Sequence, residues 1–154
     1  MNEDFRDLLS ALSDAEVRFM VIGAYAVGIH GHPRATKDLD IWIEASPDNA
    51  TRVIQALRQF GAPLLDLCAE DLSRPGIGFM MGVPPRRIDV ITKISGLEFA
   101  DAWARRIEAN FGDELRCPVI SIGDLLINKR ASDRLQDRAD VDALERLERA
   151  RRQG

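Results

Sequence analysis

Residues 17–44 read VRFMVIGAYAVGIHGHPRATKDLDIWIE, and the rest of the chain is best interpreted outward from this segment. Its first six residues, 17–22, are mostly apolar, which predicts an interior β-strand. Gly23 ends that strand and leads into a short apolar helix. From residue 36 to residue 44 polar and apolar side chains alternate, which predicts a second, half-buried strand. The segment therefore predicts a strand, a glycine turn, a short helix and a second strand.

Two aspartates share one face of the second predicted strand. Asp38 and Asp40 are two residues apart, so their carboxylates lie roughly 6–7 Å apart on a strand. Like charges at that spacing repel, and Asp is a poor strand former. A divalent cation offsets both costs, because Mg²⁺ binds carboxylate oxygens together with substrate phosphate oxygens. The spacing favours a metal site; the alternative is a pair of aspartates that face water on an amphipathic strand.

The glycine turn before this strand has the features of an anion site. A buried strand that passes through Gly23 into a helix directs the backbone N–H groups of Gly23 and Ala24 toward an anion. A turn that receives phosphate, next to a strand that holds a metal ion, describes a site for a nucleoside triphosphate.

A third carboxylate fits the same scheme. Asp89 lies in the sequence RIDVI, residues 87–91, between apolar strand residues. In two-metal phosphoryl transfer such a carboxylate can bind the catalytic metal ion and take the proton of the attacking hydroxyl. The alternative is that Asp89 caps the end of a strand.

The remaining patterns predict a mixed α/β chain that forms a single domain over residues 1–154. No internal repeat or linker divides it. The further predicted elements are a helix over 3–13, a helix from Ser46-Pro47 to Gly61, strands over 79–83 and 87–91, a short helix near 98–106, a hairpin near 107–120, a helix from Ser121 to about Arg134 and a helix over 137–152. Residues 62–78 show no clear pattern.

Composition sets limits on function. Apolar residues make up 45% and charged residues 30% of the 154 residues, as in soluble globular proteins. The net charge of −4 argues against generic DNA binding by phosphate neutralisation. The two cysteines form no metal-binding or disulfide pattern. The N-terminus lacks a signal-peptide pattern, and the longest apolar runs are about half of a membrane span. We therefore expect a cytoplasmic protein with no membrane partner.

Three further motifs accompany the glycine turn and the acidic strand. They are Arg34-Ala35-Thr36-Lys37-Asp38-Leu39-Asp40, Asp124 with Lys129 five residues later, and Asp137-Arg138-Ala139-Asp140. With these motifs the chain resembles the nucleotidyltransferase superfamily, especially its minimal and abortive-infection-type bacterial members. The resemblance spans about residues 17–145.

The resemblance implies a nucleotidyltransferase fold, an α/β (α+β) mixed sheet flanked by helices, with C-terminal helices. It implies Mg²⁺ or Mn²⁺ at Asp38 and Asp40, with Asp89 as the third catalytic carboxylate. The implied substrates are a nucleoside triphosphate such as ATP and an acceptor hydroxyl on RNA, for example tRNA, on a protein or on a small molecule such as an aminoglycoside. The candidate nucleotide-binding residues are Gly23, Ala24, Arg34, Thr36, Lys37 and Lys129. For Arg34, Lys37 and Lys129 the alternative is a solvated side chain.

One position departs from the superfamily pattern. Ala24 stands where most members have Gly or Ser, so the turn keeps its backbone N–H but lacks a hydroxyl and gains a Cβ. This departure keeps a second hypothesis open, in which a weakly active or inactive nucleotidyltransferase-like domain binds a protein partner, as in a toxin–antitoxin system. A third hypothesis is a structural oligomer in which the acidic strand has no role.

Overall fold

The computed structural model of the chain describes residues 1–36, 38–112 and 114–153. Seven helices and six strands are present in these residues, and each element predicted from the sequence is found within a few residues of its expected place. The unassigned stretch 62–78 contains one short helix. In chain order the elements are α1 Glu3–Asp14, β1 Phe19–Ile22, α2 Gly23–Ile29, β2 Asp38–Ile43, α3 Pro47–Phe60, α4 Ala69–Leu72, β3 Gly78–Met81, β4 Arg87–Ile91, α5 Phe99–Ala104, β5 Ile107–Asn110, β6 Arg116–Val119, α6 Ile122–Ser132 and α7 Leu135–Gln153.

All six strands form one mixed sheet in the order β3-β4-β2-β1-β6-β5. The β1 strand is antiparallel to β2 and parallel to β6. The β2 strand is parallel to β4, and the outer pairs β3–β4 and β5–β6 are antiparallel hairpins. This mixed sheet with flanking and C-terminal helices confirms the predicted fold class. It also makes β2 and β4, which carry the acidic residues, direct neighbours.

The hydrophobic core consists of the apolar faces of the helices and strands, which pack against one another. The apolar face of α1, at Phe5, Leu8, Leu9 and Leu12, is fully buried, and α1 packs against α3. All four residues of β1 are buried, as expected for an interior strand.

Capping residues set both ends of α3 as the sequence predicts. The Ser46 side chain accepts a hydrogen bond from the backbone N–H of Asn49 at the start. At the end Gly61 adopts a left-handed backbone with φ of 90°. The buried Asn49 side chain also bonds the backbone N–H and C=O of Arg18 and the C=O of Glu44. Asn49 therefore joins α3 to the chain at the start of β1 and the end of β2.

Two further features concern the cysteines and the lengths of the helices. Cys117 is buried, Cys68 is exposed, and the two thiols are unpaired. In the described ranges, no helix has the length and apolar character needed to cross a lipid bilayer.

Candidate active site

The carboxylates predicted from the sequence meet at the centre of the sheet. The parallel register of β2 and β4 places Asp40 directly opposite Asp89, and Asp38 opposite Arg87. The side chains of Leu39 and of the other apolar residues of β2 are buried, so the acidic face alternates with them as predicted. Asp38, Asp40 and Asp89 all line one open cavity of about 710 Å³.

The cluster concentrates negative charge. Burial, followed by the neighbouring Asp89 and Asp38, raises the pKa of Asp40 from 3.8 to about 6. Arg87 offsets part of this charge, because its Nε donates a 3.2 Å hydrogen bond to Asp89 Oδ1. The Oδ1 atom of Asp38 is buried and has no hydrogen-bond partner among the described residues. The cluster therefore carries more negative charge, and more acceptor capacity, than the surrounding protein satisfies.

These carboxylates are better suited to a cation that binds together with a substrate than to a cation that the protein alone holds permanently. Within residues 1–36, 38–112 and 114–153, no three His, Cys, Asp or Glu side chains are already arranged to hold a metal ion. Mg²⁺ is typically held by one or two carboxylates together with substrate phosphates and water. Such an ion would bind the unpartnered oxygen of Asp38. It would also stabilise the ionised form of Asp40, whose pKa is raised. Hard carboxylate oxygens are suitable donors for Mg²⁺ or Mn²⁺.

The glycine turn packs directly against the cluster. Gly23 has φ of 68°, and a Cβ built there would lie 2.3 Å from Asp40 Oδ2. Both the backbone conformation and the close approach therefore require glycine. Among the residues that the structure describes, no side chain caps the start of α2, and Gly23 and Ala24 both line the cavity. Their predicted contact with phosphate stays a prediction.

Lys129 lines the cavity but is not solvated. Only 5% of Lys129 is exposed, and its Nζ lies 3.2 Å from Asp137 Oδ1 and 3.0 Å from Asp140 Oδ2. The Asp-x-x-Asp motif at the start of α7 thus balances the charge of the lysine on α6. The solvated alternative for Lys129 is wrong, and contact with a nucleotide phosphate stays a prediction.

Two residues of the block before β2 are held by hydrogen bonds within the protein. Arg34 donates hydrogen bonds of 3.1 Å from Nε and from Nη2 to the two carboxylate oxygens of Asp140. Thr36 Oγ1 donates to the backbone carbonyl of Asp38 over 3.1 Å. Arg34 and Thr36 both line the cavity, so they remain candidates for phosphate contact. Lys37 lies outside the described residues.

Three cationic residues that line the cavity were missed by sequence reasoning. Arg87 could have been found, because it lies two residues before Asp89 and shares its strand face. Arg134, whose Nε donates to Asp137 over 2.9 Å, and Lys93, just after β4, carry no local signal. Trp42 shares the strand face of the aspartates but is fully buried and packs edge-to-face on Phe99, with ring centroids 5.1 Å apart. Trp42 is therefore part of the hydrophobic core.

Comparison with known proteins gives one family match that spans most of the chain. Residues 2–149 match the model of a family described as "Nucleotidyltransferase of unknown function (DUF6036)". This match covers nearly the whole chain, including every element that lines the cavity. No curated protein matches the chain.

Proposed function

The chain belongs to this nucleotidyltransferase family, and we propose that it moves a nucleoside monophosphate from a nucleoside triphosphate to an acceptor hydroxyl in a Mg²⁺-dependent reaction. The observation that supports the proposal is the placement of Asp40 opposite Asp89, beside the unpartnered oxygen of Asp38, in one open cavity. Arg87 pairs with Asp89, but no described cation forms an ion pair with the half-buried Asp38 or Asp40. A divalent cation with a triphosphate would balance their charge.

In this reaction the attacking hydroxyl oxygen forms a bond to the α-phosphorus, and the bond from that phosphorus to the bridging oxygen breaks. Pyrophosphate leaves, and the hydroxyl proton passes to Asp89. Asp38 and Asp40 would hold the metal ion, which when bound neutralises charge on the phosphoryl oxygens. Arg87 donates a hydrogen bond to Asp89 Oδ1 and so helps to hold this carboxylate in position.

The phosphates would lie beside several positive or N–H groups. The backbone N–H groups at Gly23 and Ala24 would donate to the departing pyrophosphate. Arg34 and Lys129 line the same cavity and add positive potential, although carboxylates of α7 already balance part of their charge. Catalysis would then consist mainly of positioning and electrostatic stabilisation.

Ala24 favours a second candidate function. Without a hydroxyl at this position, the turn itself would contribute only backbone N–H groups to phosphate binding, which predicts slow turnover. The second candidate is a nucleotidyltransferase-like module that binds a protein partner, as a component of a toxin–antitoxin pair does. A stable complex with another protein and no nucleotide transfer would distinguish it from the enzyme.

The test is a transfer assay with each α-labelled nucleoside triphosphate and Mg²⁺, or Mn²⁺ in parallel. Acceptors are bulk RNA, cellular protein and a panel of aminoglycosides. The wild type is compared with Asp40→Asn and with Asp66→Asn, an exposed aspartate remote from the cavity. We expect label in one acceptor fraction, loss of label with Asp40→Asn or a chelator, and no loss with Asp66→Asn. If the folded wild type labels no acceptor, the result contradicts the enzyme and supports the partner-binding module.

A further inference from the structure

Three of the cationic side chains that line the cavity share two aspartates of the C-terminal helix. The cations are Arg34, which precedes β2, Lys129 on α6, and Arg134, which precedes α7. Asp137 pairs with Lys129 and Arg134, and Asp140 pairs with Arg34 and Lys129. We call these five residues the cation network. Because the network joins three cations to two carboxylates, it keeps one net positive charge.

Asp140 lies behind the cations of this network and not in the wall of the cavity. Its side chain is fully buried, and two donors approach each of its carboxylate oxygens. Oδ1 accepts hydrogen bonds from Arg34 Nε over 3.1 Å and from Gln136 Nε2 over 3.0 Å. Oδ2 accepts one from Arg34 Nη2 over 3.1 Å and lies 3.0 Å from Lys129 Nζ. A single carboxylate therefore holds two cavity cations that come from remote segments of the chain.

The pairs with Asp140 use only part of the hydrogen-bonding capacity of the two cations. A guanidinium group has five N–H donors, and Arg34 directs two of them to Asp140. An ammonium group has three, and the Nζ of Lys129 lies within 3.2 Å of two carboxylates, those of Asp137 and Asp140. Both cationic side chains line the cavity. A phosphate in the cavity can therefore bind the remaining donors while both cations stay paired with Asp140.

The cation network lies near both the glycine turn and the carboxylate cluster. The α6 helix, which carries Lys129, packs against α2, the helix that begins at Gly23. Burial is the main cause of the raised pKa of Asp40, and Lys129 is close enough to oppose that rise. The proposed function places the departing pyrophosphate at Gly23 and Ala24. The cation network therefore lies beside the phosphates that the reaction releases.

Asp140 has two opposite effects on a phosphate in this cavity. Its negative charge repels the phosphate, which weakens binding. Its hydrogen bonds hold Arg34 and Lys129 in place, so that these long side chains lose little further freedom when the phosphate binds. The repulsion is small, because the charge of Asp140 is already paired with two cations and water in the open cavity screens it. The positioning effect therefore outweighs the repulsion.

We propose that Asp140 is a positioning residue, which holds Arg34 and Lys129 toward the phosphates of the nucleoside triphosphate. This inference rests on the proposed function and adds to it a residue that contacts neither the substrate nor the metal ion. It also gives the C-terminal helix a role in the reaction, because both cations are in place only while α7 is docked.

The test measures binding of two probes by isothermal titration calorimetry. The probes are each nucleoside triphosphate and inorganic tripolyphosphate, both with Mg²⁺. Asp140→Asn keeps the shape of the side chain but removes its charge and one of its two acceptor oxygens. We expect it to weaken binding of both probes about tenfold or more, as for the loss of a charge-assisted hydrogen bond.

The direction of the change separates three roles for Asp140. If Asp140 only neutralised the cations, Asp140→Asn would free a positive charge and strengthen binding of both probes. If its role were only structural, the folded variant would bind both probes as tightly as the wild type. Either result would overturn the proposal.

Asp124→Asn is the matched control for the loss of a buried ion pair. Asp124 on α6 is 2% exposed, and its Oδ2 lies 2.9 Å from the Nε of Arg105, outside the cavity. Thermal unfolding should show a lower Tm for Asp124→Asn and for Asp140→Asn, but only the latter should bind the probes more weakly. A similar loss of binding in Asp124→Asn would mean that destabilisation is the cause, against the proposal.

Arg34→Lys provides a test that does not depend on the folding of Asp140→Asn. It keeps the positive charge but cannot form two parallel hydrogen bonds to Asp140. We expect it to weaken binding of both probes about fivefold or more, and unchanged affinity would contradict the proposal. When the two substitutions are combined, Asp140→Asn should weaken binding less than it does alone, because part of its effect passes through Arg34. Equal losses in the two backgrounds would contradict this coupling.

The wild type separates this inference from the proposed function. A wild type that binds both probes, together with an Asp140→Asn variant that binds them equally well, refutes this inference alone. A wild type that binds neither probe refutes the proposed function with it.

Discussion

Replacing Asp40 with Asn should make the metal-free protein more stable near neutral pH while abolishing nucleotide transfer. In the wild type Asp40 is partly buried and lies opposite Asp89, and these two effects raise its pKa to about 6. The ionised form is therefore held in the folded protein against an unfavourable environment. Asparagine has nearly the same shape, carries no charge and can donate a hydrogen bond to Asp89.

The size of the effect follows from the shift in pKa. A rise from 3.8 to about 6 is close to two units, which corresponds to an upper limit of about 3 kcal/mol at neutral pH. Partial exposure of the cluster reduces this to about 1–2 kcal/mol. In a domain of this size that change raises Tm by about 2–8 °C.

The sign of the pH dependence is fixed by the same shift. The folded pKa of Asp40 lies above its unfolded value, so the folded state binds more protons between about pH 4 and 6. Wild-type stability therefore falls as the pH rises through this window. Near pH 4 the wild type and Asp40→Asn should unfold at similar temperatures, and the difference should open as the pH rises toward 7.

Thermal unfolding followed by circular dichroism, with a chelator present and the pH varied, measures this difference. Asp66→Asn is the matched control, because it removes one exposed negative charge far from the cavity. Adding Mg²⁺ should raise the Tm of the wild type, since a ligand that binds only the folded state stabilises it. Mg²⁺ should raise the Tm of Asp40→Asn much less.

An Asp40→Asn protein that melts at or below the wild-type temperature at neutral pH would refute this reasoning. So would a difference in Tm that stays constant from pH 4 to 8, because it would not arise from ionisation. Either result would mean that the carboxylate cluster is not under electrostatic strain.

Two further substitutions test the geometry around the cluster. Gly23→Ala forces a Cβ into a left-handed backbone and against Asp40, so it should cost about 2 kcal/mol or more and remove triphosphate binding. Gly61→Ala has open space around it and should cost about 1 kcal/mol with no effect on binding, as urea unfolding and nucleotide titration would show. Lys129→Met removes the buried cation that Asp137 and Asp140 share, although Arg134 and Arg34 still pair with them, and should cost about 3 kcal/mol in urea unfolding. The exposed Arg130→Met should cost about 1 kcal/mol or less, and equal stability of the two variants would contradict a structural role for the buried lysine.

Local sequence patterns were sufficient for most of the secondary structure. Periodicity, caps and turn residues depend on neighbours within a few positions, and these patterns predicted α1, the limits of α3 and the alternation along β2. The short α4 was missed, because a helix of four residues has too few positions to show a period. The shared strand face of Asp38 and Asp40 and the turn at Gly23 were likewise predicted from neighbouring residues.

The arrangement of the site depended on the tertiary structure. Asp89 faces Asp40 because β2 and β4 pair in parallel across a long connection, and no local pattern specifies that register. The partners of Lys129 lie on a different helix, so its buried double ion pair could not be read from its own neighbours. The sequence thus determined which residues are acidic, which are apolar and where the chain turns, because those properties are local. Only the folded structure decided which carboxylates face each other and which cations are paired with carboxylates. It also decided that Lys93 forms no ion pair with a described residue. These contacts depend on distances between segments that are remote in the sequence.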